Sequence, residues 1–168
     1  MKALKNLSVL LLLSLVGCAT SSDFTKNNLN NDFFKNKKIV FTFNENSKKA
    51  VAYSGPKAGI ERQPDVKEVF KQSIEELAKE TKLDLKFNEF GNSNSNSDTN
   101  VNADVTEILW TFNLSSATMS TVINYKINNN EVDTINSSYK NMTGGNEKNN
   151  LLRCFKIANY SALKKLEK

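Results

Sequence analysis

The chain has 168 residues, a formal net charge of +5, 39% hydrophobic and 24% charged positions, with 2 Cys, 2 Pro, 6 Gly and no His. That length suits one domain, and the composition excludes a disulfide-rich miniprotein, a collagen-like chain and a polytopic membrane protein. Without histidine there is no zinc–His cluster, no Ser-His-Asp triad and no Cys-His pair.

Lys2 and Lys5 make a short basic start, followed by an apolar run from Leu7 to Val16 that ends in Gly17-Cys18. The run is shorter than the roughly 20 residues a membrane span needs and has the length of a secretory h-region. The stretch Leu15-Val16-Gly17-Cys18 resembles the lipobox of bacterial lipoprotein precursors, with Cys18 on the cysteine of the motif. The resemblance implies cleavage before Cys18 and acylation of its sulfur and new amine. Ala19, where an Asp would retain the protein at the inner membrane, implies sorting to the outer membrane in Gram-negative members of the class. Two or more acyl chains, at about 0.8 kcal/mol per buried CH₂, would hold a water-soluble body stably at a membrane surface. Loss of Lys2 and Lys5 leaves 21 basic against 18 acidic side chains, a net charge of +3. That is too weak a field to indicate a nucleic-acid partner.

On this reading residues 1–17 are a signal peptide, 18–37 the lipidated Cys18 and an Asn-rich flexible tether, and 38–168 one domain. Phe33 and Phe34, the adjacent aromatics of the tether, are expected to dock on the domain edge. Lys38 to Phe43 is dense in β-branched and aromatic residues and predicts a strand. Residues 44–64 are polar or irregular, with a short strand at Ala50 to Tyr53 and turn signals at Gly55-Pro56 and Gly59. So long a connection is either a hidden strand or a functional loop. Val66, Val69, Phe70, Ile74, Leu77 and Ala78 form a helical stripe. Asp65 and Glu68 provide a capping box, and the helix ends near Thr81. Leu83, Leu85 and Phe87 alternate with polar residues as a half-exposed strand.

Gly91 to Asn100, rich in Asn and Ser, has nothing apolar to bury and predicts a disordered loop over about 91–102. Val105 to Leu114 predicts the central strand, with Ile108, Trp110, Phe112 and Leu114 on one face and Val105, Glu107, Leu109 and Thr111 on the other. Met119 to Ile127, a turn at Asn128-Asn129-Asn130, and Val132 to Tyr139 complete an antiparallel three-strand meander. After Gly144-Gly145 the last helix starts at Asn146. Leu151, Leu152, Phe155, Ala158, Ala162, Leu163 and Leu166 form its apolar face, and Lys148, Arg153, Lys156, Lys164, Lys165 and Lys168 its polar side. The expected fold is an α/β two-layer sandwich, a mixed sheet of four to five strands with two helices on one face. The element order loosely resembles that of small periplasmic lipoprotein domains that serve envelope assembly or transport, which implies an accessory role through protein contacts.

No phosphate loop, HExxH, CxxC or GxSxG motif occurs, and the acidic residues Glu75, Glu76, Glu107 and Asp133 form no acid–base pair along the chain. A non-enzymatic protein without a cofactor or metal is therefore expected, with an envelope protein as partner. Tyr53, Trp110 and Tyr125 are the candidates for a partner or ligand surface. An exposed Trp110 beside an apolar pocket would favour a module that binds a small ligand or an envelope glycan. Cys154 reads as a buried helical cysteine acting as a small hydrophobe.

Overall fold

The computed structural model describes residues 24–25, 28–56, 63–89 and 98–167. The expected signal peptide, Cys18, Gly59, most of the Asn/Ser-rich stretch and Lys168 lie outside the described residues. In chain order the elements are α1 (Asn31–Phe34), β1 (Lys38–Phe43), β2 (Ala52–Ser54), α2 (Val66–Thr81), β3 (Asp84–Asn88), β4 (Thr99–Phe112), β5 (Ala117–Ile127), β6 (Asn130–Asn141) and α3 (Glu147–Leu166). They build a mixed α/β fold in which a six-stranded sheet of order β3-β1-β4-β5-β6, with β2 also paired to β4, is covered by α2 and α3.

The two halves of the sheet are built differently. β1 pairs in parallel with β3 and β4, and α2 carries the chain from the β1 side across to β3. β4, β5 and β6 form the antiparallel meander, and the β5–β6 turn places Asn128 (φ 48°) and Asn129 (φ 71°) in the left-handed region that Asn tolerates.

Phe41, Phe43, Phe70, Ile74, Leu77, Val101, Met119, Ile123, Leu151, Phe155 and Leu163 form the core between sheet and helices. Phe70 is its hub, with ring centroids 5.3 Å from both Phe43 and Phe155 and 6.3 Å from Phe87. The opposite sheet face is wet: Glu107 and Lys126 are exposed and Thr42, Thr111 and Asn124 half-buried.

Four expectations are corrected. β4 starts at Thr99, inside the stretch expected to be disordered through 102, because Thr99 to Ala103 find backbone partners on β1. Val105 shares the buried face with Ile108 and Trp110 rather than opposing them. The β4–β5 register shifts between Val105 and Glu107, and one extra residue in a strand moves every later side chain to the other face.

The tether reading also fails for most of its length. Phe24, Leu29 and Phe34 are buried in the core cluster, Phe33 packs against it, and the Tyr160 hydroxyl donates to the Thr25 carbonyl at 2.9 Å. The apolar residues of this polar segment are enough to strap it down. Finally, Lys156 is not on a wet side. It is 5% exposed because α3 packs against α2 as well as the sheet, and its ammonium donates to Glu76 (3.1 Å) and Glu80 (2.6 Å) of α2.

The parallel half carries one further irregularity. β1 pairs with β4 up to Ala103 and β2 resumes from Leu109, so β1 and β2 flank the same side of β4 with a gap between them. Ser47 fills it: its buried hydroxyl accepts from the Val105 N–H (2.9 Å), and the Lys48 N–H donates to the Val105 carbonyl (2.7 Å). The side chain thereby replaces a strand partner that the backbone does not supply. At the end of β2, Gly55 has φ +100°, and a Cβ there would stand 2.0 Å from the Phe112 carbonyl oxygen.

Candidate functional site

Each of the two long helices, α2 and α3, begins on a side-chain cap. Asp65 Oδ1 accepts from the Glu68 N–H at 3.0 Å and Asn146 Oδ1 from the Asn149 N–H at 3.2 Å. The fold brings both caps to one pole, beside the carboxyl end of β4. Between them opens a cleft of about 440 Å³ lined by Gln63, Pro64, Asp65, Trp110, Gly145, Asn146, Glu147 and Lys148. It lies beyond β1, at the level where β2 pairs with Leu109 to Thr111 of β4.

A hydrogen-bonded wall holds one side. Gln63 pairs with Val51 in the manner of a strand, its Oε1 accepting from the Val51 N–H (2.7 Å) and its Nε2 donating to the Val51 carbonyl (3.0 Å). Gln63 Nε2 also donates to the Tyr53 hydroxyl at 3.0 Å, and that hydroxyl donates to Glu147 Oε1 at 2.7 Å. The Tyr53 ring lies 6.3 Å from that of Trp110. Trp110 itself is 3% exposed, and its indole Nε1–H is enclosed without an acceptor among the described residues.

Of the three residues expected to share a surface, the fold brings Tyr53 and Trp110 together and separates Tyr125 from them. Trp110 is part of the cleft lining but is not the exposed aromatic platform that a stacking site requires, and the cleft is polar rather than apolar. Tyr125 is interior: its hydroxyl donates to Asn159 Oδ1 at 2.8 Å, and burial raises its pKa well above the ordinary phenol value. Nothing in the sequence pattern marks Gln63 or Glu147. The caps Asp65 and Asn146 were legible signals, but only the tertiary fold sets them side by side.

Other reactive groups are occupied structurally. Burial pushes the Cys154 thiol up to about 12, and its Sγ donates to the Met119 carbonyl at 3.1 Å, so it is an un-ionised core group at neutral pH. Burial would raise the Glu76 carboxyl, but the hydrogen bond from Gln72 and the Lys156 ammonium outweigh it and hold the group below its ordinary value. Among the described residues no three metal-ligating side chains come together, and no described helix is long and apolar enough to cross a membrane.

No family model and no curated protein matches the chain. Among solved structures it is similar to XCC0632 of Xanthomonas campestris (10% identity over 77% of this chain and 81% of that one, TM-score 0.44). It is also similar to CT253 of Chlamydia trachomatis (11% identity, 77% and 98%, TM-score 0.47). A third likeness is to the PelC dodecamer of Paraburkholderia phytofirmans (9% identity, 78% and 87%, TM-score 0.42). No residue role passes from them to this chain.

Proposed function

We propose that the chain is an exported protein anchored to the outer membrane by lipid on Cys18, and that it acts without catalysis as an accessory to an envelope protein. The observation that carries this reading is Leu15-Val16-Gly17-Cys18 behind a basic start and a short apolar run. Metabolic labelling with an alkyne fatty acid tests it. The wild-type protein is expected to take up label and to sediment with membranes, and Cys18→Ser to lose both label and processing. An unlabelled wild-type protein, cut and distributed like the variant, overturns the reading. Crosslinking of the labelled protein followed by mass spectrometry then returns the partner.

A second reading, a module that binds a small ligand or an envelope glycan, rests on the cleft alone, since Trp110 is buried and the cleft is polar. It predicts a ligand-dependent rise in melting temperature.

A further inference from the structure

Among the described residues two large apolar side chains stand in water, Leu114 (79% exposed) and Met142 (66%). They are not scattered. Leu114 lies in the turn between β4 and β5, where the Asn113 N–H donates to the Ser116 carbonyl at 2.8 Å, and Met142 in the loop between β6 and α3. The Ala117–Asn141 pairing sets the two loops side by side, and both residues line one shallow hollow of about 180 Å³ together with Phe112. No carboxylate occurs in 108–130 or 134–146, and the charges flanking Met142 are the exposed Lys140 and Lys148. Glu147, next along the chain, is buried and accepts from Tyr53.

A stable protein interface needs about 800 Å² on each partner, far more than two side chains offer. Two apolar tips between lysines do suit a bilayer surface, where the tips enter the headgroup layer and the ammoniums meet anionic lipid. The course of the N-terminal segment points to the same pole. The Asn30 N–H donates to Glu167 at 2.9 Å, Thr25 accepts from Tyr160, and Phe24 lies against Tyr160 with the Lys156 ammonium over its ring. Traced towards the N-terminus, the segment therefore climbs α3 from its end to its middle. From Lys156 back to Glu147 is about 14 Å of helix, and the six steps from Phe24 to Cys18 span at most about 20 Å. Position 18 thus reaches the level of the α3 start. The Met142 loop is at that level too, since the Gly144 carbonyl accepts from Asn150 at 2.8 Å.

We propose that this pole rests on an anionic bilayer, with the Leu114 and Met142 side chains inserted among the lipid headgroups. The inference rests on the acylation of Cys18 proposed above and adds the orientation of the body that the lipid holds. A short tether keeps the tips at a high effective concentration beside the surface, so two side chains suffice where they would not hold an unanchored protein.

Ser115→Cys beside the tips and Lys164→Cys in the last turn of α3 are both exposed and take a thiol-reactive nitrobenzoxadiazole dye, while Cys154 is buried. The acylated full protein is reconstituted into vesicles of phosphatidylethanolamine and phosphatidylglycerol that carry a nitroxide-labelled lipid, and alkyne fatty-acid labelling is read on the same samples. The dye at position 115 is expected to be strongly quenched and the dye at 164 to stay bright. In the Ser115→Cys background, Leu114→Ser with Met142→Ser should leave sedimentation with vesicles and the melting temperature unchanged, because both positions are exposed and the anchor is intact. The pair should lower the ratio of inserted to free tips at least about tenfold, a factor that burial of one such side chain supplies. Acylated, sedimenting protein in which position 115 is quenched no more than 164 overturns the orientation and leaves the anchor standing. Equal quenching with and without the two serines overturns the role of the tips. Shielding of the dye at 115 from iodide in the absence of vesicles, rising with protein concentration, assigns the tips to a second copy and overturns the bilayer as their partner. Protein that carries no acyl label overturns the anchor, and the orientation falls with it.

Discussion

The two halves of the sheet make an instructive contrast. In the meander, β4, β5 and β6 follow one another through short turns, and each strand finds its partner next to it in sequence. In the parallel half, β1, β2, β3 and the start of β4 are joined by longer excursions, and side chains complete the pairing where backbone does not: Ser47 in the gap and Gln63 against Val51. Regular pairing leaves little room for anything but packing. Irregular pairing leaves a cleft, two helix starts and an enclosed indole at one pole.

Substitutions should separate the halves by how much each depends on such single contacts. The largest effect is expected at the shared hub: Phe70→Ala removes a ring that touches Phe43, Phe87 and Phe155, and should cost about 3–5 kcal/mol in urea unfolding of the whole domain. Gly55→Ala comes next, at about 2–3 kcal/mol, since both its φ of +100° and the Phe112 carbonyl at 2.0 Å oppose a Cβ. Its signature is faster amide exchange in Ala52–Ser54.

Ser47→Ala should cost about 1–2 kcal/mol, because it strands the Val105 N–H. It sharpens the contrast most. Amide protection should fall around Asn44 to Lys48 and Val105 and stay unchanged along the β5–β6 pairing. An equal loss in both halves would show that they open as one cooperative unit. The smallest effect is an acid dependence. The Glu76 carboxyl is held low in the folded state, so its contribution is present above the unfolded value of about 4.3 and is lost as pH falls through the depressed folded value. The fall in melting temperature between neutral and acid pH should be shallower in Lys156→Met, and Glu76, a third exposed, limits its size.

The same contrast governs what could be read from sequence. The helix over 66–81 with its Asp65 cap, the strand over 38–43 and the Asn128-Asn129 turn are local patterns, and each stands where expected. The bulge after Val105 leaves no trace in an alternating pattern, because one inserted residue looks like a single misplaced Thr106. Lys156 reads as a surface lysine until a second helix encloses it and supplies two carboxylates. At the cleft, Tyr53 and Trp110 were legible as unusual residues on predicted strands. Their neighbours Gln63 and Glu147 were not, since nothing along the chain announces that position 63 and position 147 meet.

The fastening of Phe24 beneath Tyr160 has a mechanical consequence. Its ring sits 5.4 Å from that of Tyr160, with the Lys156 ammonium over its face. If Cys18 carries the acyl chains, the six steps from there to Phe24 reach about 20 Å at full stretch. A leash that short would keep the globule within its own width of the bilayer. Any partner would have to come to that surface, because this protein could not swing out to meet it.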